Sequence, residues 1–80
     1  MAEYRFTEYF EKKVLVKRPY LTKELCIRVV EAPIRSERQQ INRYRFWGAV
    51  PELADKILRV VTLEDKITIH NAFLDRRFKP

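Results

Sequence analysis

The chain has one glycine, one cysteine and one histidine among 80 residues, and each scarcity narrows what it can do. A lone Cys26 cannot close an internal disulfide. With His70 it still falls short of the ligand count of an ordinary zinc site, so no metal site is expected. Gly48 alone cannot make a glycine-rich phosphate loop, and neither a Cys-x-x-Cys nor a paired-carboxylate motif occurs; nucleotide-dependent and redox enzymes are not expected, nor any cofactor. No apolar run approaches the roughly 18 residues of a membrane span, and Met1-Ala-Glu-Tyr-Arg5 does not read as a signal-peptide start. The expectation is a cytoplasmic protein with no membrane partner.

What is present is enough apolar material for one core. The hydrophobic fraction is 46%, with five Phe, four Tyr and one Trp, and the length is about half that of a usual domain, so residues 1–80 are read as a single domain. Seventeen Lys and Arg stand against eleven Asp and Glu, a net charge of +6 that favours polyanions such as nucleic acid or an acidic partner protein. The excess is spread evenly between the two halves of the chain. Any basic patch therefore has to be made by folding, and a merely solvated basic surface is the plain alternative.

Along the chain, Phe6, Tyr9, Phe10, Val14 and Leu15 recur at helical spacing, predicting an amphipathic helix from Phe6 to about Lys17 that ends before Pro19. Thr22 reads as the N-cap of a second helix, with Glu24 in its first turn, Leu25, Cys26, Val29 and Val30 as the buried stripe, and Pro33 as the stop. Gln39-Gln-Ile41 and Tyr44-Arg-Phe-Trp47 read as strands around Asn42-Arg43. In the second of these Arg43, Arg45 and Trp47 share one face, and Gly48 marks a loop. Pro51 to Asp55 suits a short helical turn.

The hairpin signal is strongest at Lys56 to Asp75, where Ile57–Leu63 and Ile67–Phe73 flank Glu64-Asp65-Lys66. A two-residue loop at Asp65-Lys66 sets Thr62 opposite Ile69, Val60 opposite Asn71, Leu58 opposite Phe73, Val61 opposite His70 and Arg59 opposite Ala72. Phe73 then lines the helix-packed face, and Arg59 and His70 share the other.

On this reading Arg43 and Arg45 could hold phosphates while Trp47 stacks on a base, with Arg76, Arg77 and Lys79 of the basic tail on the backbone. The competing arrangement packs Trp47 in the core and lets the arginines snorkel outward. His70 titrates near neutrality and Arg59 could stabilise phosphate charge, the pairing that RNA cleavage by 2′-hydroxyl attack requires. A lone strand histidine is also an ordinary polar position. Cys26, inside an apolar stripe with no histidine beside it, reads as a buried small hydrophobe.

Two helices, Arg18 before Pro19-Tyr-Leu-Thr22, then Asn42-Arg-Tyr-Arg-Phe-Trp-Gly48, Leu58-Arg-Val-Val61 and Ile69-His-Asn-Ala-Phe73 together resemble a family of small bacterial domains of unknown function related to the RelE and BrnT type toxins of toxin–antitoxin modules. The resemblance covers roughly residues 6–79. It implies an α+β fold of RelE-like order α-α-β-β-β-β, two N-terminal helices packed on one face of a four-stranded antiparallel sheet, with a basic face where related toxins cleave RNA without metal. By that analogy the candidate groups are Arg43, Arg45, Arg59, His70 and Arg76. The implied function is a toxin-type, RNA-binding endoribonuclease, with RNA and an acidic antitoxin-like protein as partners. The alternatives are a noncatalytic module binding nucleic acid or an acidic protein on the same face, and a structural homo-oligomer joined through a sheet edge or aromatic patch.

Overall fold

The computed structural model of the protein describes residues 3–39 and 41–79. The chain runs as β1 (Arg5–Phe6), then a helical segment α1 that is π-wound over Phe10–Val14 and α-helical over Leu15–Lys17. Next come α2 (Lys23–Glu31), β2 (Arg35–Arg38), β3 (Arg43–Val50), a 3₁₀ turn at Pro51–Leu53, β4 (Lys56–Leu63) and β5 (Thr68–Leu74). The class is α+β, but the expected four-stranded antiparallel sheet is corrected to a five-stranded mixed one of order β1-β5-β4-β3-β2. The fifth strand lies parallel to β5, Arg5 beside Thr68 and Phe6 beside Ile69.

That strand takes Phe6 out of the expected helix. The Arg5 N–H donates to the Ile67 carbonyl at 2.9 Å and the Thr7 N–H to the Ile69 carbonyl at 3.0 Å. Helix begins only beyond Thr7, whose hydroxyl accepts the Phe10 N–H at 3.1 Å, the usual capping bond to a free first-turn donor. Two residues are too few to show an alternating pattern, so helical spacing had absorbed Phe6. The π winding is closed by the Leu15 N–H on the Phe10 carbonyl and leaves Phe10 and Val14 buried.

In α2, Thr22 has extended backbone angles and its hydroxyl accepts the Leu25 N–H at 3.1 Å, as an N-cap should. Phe10, Val14, Leu25, Cys26 and Val29 from the helices meet Phe46, Leu58, Val60, Ile69 and Ala72 from one sheet face to form the core. Cys26 is fully buried, and burial pushes its thiol up to about 12, which leaves it a protonated core group.

Gly48 is not in a loop but in the middle of β3, over α2. A Cβ at this position would sit 3.2 Å from Val29 Cγ2, so the missing side chain lets the helix approach the sheet. The strand expected at 39–41 is displaced to β2. Gln39 follows it, with its N–H on the Arg43 carbonyl at 2.9 Å, Ile41 and Asn42 lie in the turn, and Gln40 is outside the described residues. Arg35 pairs with Trp47 and Glu37 with Arg45 across β2 and β3.

The β4–β5 hairpin carries the most consequential correction. Thr62 faces Ile69 as expected, but the register then shifts between Val61 and Thr62, so that Val61 faces Asn71, Val60 faces Ala72, Arg59 faces Phe73 and Leu58 faces Leu74. One extra residue in β5 makes a bulge at His70 and Asn71. Beyond it each side chain of β5 changes face: Ala72 enters the core, fully buried, and Phe73 moves to the side away from the helices, beneath the Arg59 guanidinium.

Candidate nucleic-acid interface

The helices cover one sheet face, and period-two alternation sends Arg35, Glu37, Arg43, Arg45, Trp47, Arg59 and Phe73 to the other. Trp47 is its centre. Arg45 reaches it along β3, Arg35 from β2 and Arg59 from β4, with guanidinium carbons 5.2, 5.6 and 5.6 Å from the indole ring. Three neighbouring strands thus set cations around one indole ring, within the range of cation–π attraction.

Two carboxylates hold the arginines in place. Glu37 accepts from Arg45 at 2.9 Å and also pairs with Arg35. Asp75 accepts the Trp47 indole N–H at 2.9 Å and lies 3.6 Å from Arg59. The Arg45 hydrogen bond, followed by those of Arg35, holds Glu37 below the usual carboxylate range; the indole N–H does the same for Asp75, helped by the Arg77 amide and Arg59. Both stay ionised at neutral pH. Beyond Asp75 the chain turns, the Arg77 N–H donating to Asp75 Oδ1 at 3.0 Å, and the Phe78 ring stacks on Trp47 at 5.3 Å between centroids. The result is a shallow concavity of about 430 Å³ lined by Arg35, Arg45, Arg59, Arg77 and Lys79 against Glu37 and Asp75, together with Trp47 and Phe78. Five cations against two carboxylates leave it positive.

Trp47 does not pack in the core beneath the helices, the competing arrangement expected for it. The residue is only 5% exposed, yet it lies on the open face, covered by arginines and the tail rather than by the helices. Arg45, Arg59, Arg77 and Lys79 gather around it. Arg76 borders a separate hollow with Lys56 and Ile57, and Arg43 sits at the far end of β3, its Nη1 donating to the Asn42 carbonyl at 3.0 Å. The sequence does not single out Arg35, Glu37, Asp75 or Phe78 as site residues. Arg35 and Glu37 alternate at strand spacing, a signal present in the sequence, whereas nothing local marks Asp75 as the partner of a residue 28 positions earlier.

His70 belongs to a second group. Its Nδ1 shares a 3.0 Å hydrogen bond with the Thr7 hydroxyl, and its ring stacks on Tyr9 at 5.1 Å. Arg59, by contrast, is held by Asp75, Trp47 and Phe73, so the described contacts do not couple it to His70. Burial, and then the Arg43 charge, lower the His70 pKa and favour the neutral imidazole in the folded protein. A base whose pKa is lower folded than unfolded adds stability above its unfolded value, about 6.5, and loses it as pH falls through the lower folded value. Thermal unfolding between about pH 7.5 and pH 5 should therefore show a larger drop in Tm for the parent protein than for His70→Gln; equal drops would deny the burial effect.

Fold and site together define a small α+β domain with one face of its sheet packed by helices and the other basic and aromatic. No protein-family model, curated protein or solved structure matches the chain. Among the described residues no helix is long and apolar enough to cross a membrane, and no three His, Cys, Asp or Glu side chains gather as a metal site would need.

Proposed function

We propose that this protein is a cytoplasmic RNA-binding domain whose open sheet face holds the phosphate backbone. The observation that carries the reading is the ring of Arg35, Arg45 and Arg59 around Trp47, drawn from three strands and bordered by Arg77 and Lys79. Guanidinium groups match phosphate oxygens in pairs, and the positive surplus survives pairing with Glu37 and Asp75. Anisotropy titration of a labelled single-stranded RNA should show binding that weakens steeply with salt, as release of counterions demands. Absence of binding at low salt would sink the reading.

A toxin-type endoribonuclease, with an acidic antitoxin-like partner, is the second reading, and the His70 group favours it. In the tautomer whose Nδ1–H donates to the Thr7 hydroxyl, Nε2 would take the proton of a 2′-hydroxyl, with Arg43 as the cation the phosphate would meet. Induced expression should then arrest growth and cleave RNA, and His70→Ala should abolish both. Intact RNA with the parent protein would reduce the function to binding.

A further inference from the structure

We infer that the face of Trp47 covered by Phe78 is a subsite for one unpaired nucleobase, and that single-stranded RNA binds by putting a base where Phe78 lies. The inference rests on the RNA-binding reading and names the ligand class of that same surface.

Trp47 is the largest ring on a sheet face that no helix covers, yet it is buried. Part of its cover comes from the chain's own end: Phe78 lies stacked on it, 27° from coplanar and 5.3 Å away. The segment carrying Phe78 follows the last strand and is not a sheet strand; among the described residues its hydrogen-bonded hold is Asp75, which takes the Arg77 amide and the indole N–H. Asp75 anchors the start of the turn, three residues before the ring. Phe78 can therefore leave while the Asp75 bonds to Trp47 and Arg59 stay made.

A nucleobase has the flat π-face that Phe78 supplies now, and it arrives with a phosphate for the flanking cations. Base–aromatic stacking of this kind accepts any base sequence but requires a base free of its own stack, which distinguishes a single strand from a duplex. A second observation points to the same place. The Nε–H groups of Arg45, two residues before Trp47 on β3, and of Arg59, its cross-strand partner on β4, are buried with no acceptor among the described residues. Unsatisfied donors of this kind are costly, and the oxygens of a phosphate or a base would supply the missing acceptors.

Trp47 is the only tryptophan, so its emission reports on this subsite alone. The test uses the full chain, as parent, Phe78→Ala and Phe78→Leu, the last keeping an apolar cover without an aromatic face. The probes are a labelled single-stranded oligoadenylate and the same strand paired with oligouridylate. The oligoadenylate should quench Trp47 in all three proteins. It should bind Phe78→Ala and Phe78→Leu about 3- to 10-fold more tightly than the parent, since the aromatic pair no longer has to be displaced, while duplex affinity is unchanged. If the parent binds but neither variant gains affinity, or Trp47 is not quenched, the base does not take the place of Phe78 and RNA binding stands without this subsite. If no protein binds either probe, the RNA-binding reading fails and the subsite with it.

Discussion

Replacing Arg45 and Arg59 together by glutamine should weaken binding of single-stranded RNA about 100-fold, from about 1.5 kcal/mol for each charged hydrogen bond lost. The slope of log affinity against log salt should also become shallower by about 1.4, as two phosphate contacts on a single strand imply. Glutamine keeps part of each stem over the Trp47 ring, and each carboxylate keeps another partner, Arg35 for Glu37 and the indole N–H for Asp75. The fold should survive, which circular dichroism would verify. The same double change should leave an Arg76→Gln control far behind in effect, because Arg76 borders the other hollow. An unchanged affinity would move the RNA site away from Trp47. A loss of affinity with an unchanged salt slope would mean the arginines act by packing rather than by charge.

The largest effect on stability is expected from Phe10→Ala. Phe10 is fully buried, stacks on Phe6 at 5.5 Å between centroids and joins the π-wound turn to the sheet. Truncating such a ring costs about 3–5 kcal/mol, and a domain of this size holds only about 4–12 kcal/mol in all. Urea denaturation should show a midpoint lowered by about a quarter or more with the slope preserved. Val16→Ala, on the exposed side of the same helical segment, should change stability by less than about 0.5 kcal/mol. A small effect at Phe10 would mean that the first helical segment does not seal the core.

Much of the fold was legible because local chemistry dictated it. Thr22 caps α2 with its own hydroxyl, Pro33 follows the helix end, and the alternation in Tyr44–Trp47 puts Phe46 inward and Arg45 and Trp47 outward. The turn at 64–67 is likewise local: Asp65 accepts the Ile67 and Thr68 amides at 3.0 and 2.8 Å. Features that depend on distant partners are not legible in this way. Gly48 suggested a loop, but its reason is Val29 overhead. Phe6 fitted a helix, but its backbone pairs with β5, more than sixty residues away. The bulge at His70 and Asn71 has no proline or glycine to announce it, and it alone decides that Phe73, not Ala72, joins the arginine face.

The sequence by itself determined a basic α+β chain with one capped helix, a C-terminal hairpin and arginines alternating with aromatics on a strand, because caps, turns and period-two patterns act over a few residues. Only the tertiary structure decided which sheet face the helices cover and that three strands deliver their arginines to one tryptophan. It also decided that Asp75 and Phe78 close over that tryptophan, and that His70 sits with Thr7 and Tyr9 rather than with Arg59. The physical reason is register. A one-residue bulge exchanges the two faces of a strand at almost no local cost, so the deciding energy lies in burying Ala72 and Ile69 against the helices, in contacts between segments far apart in the chain.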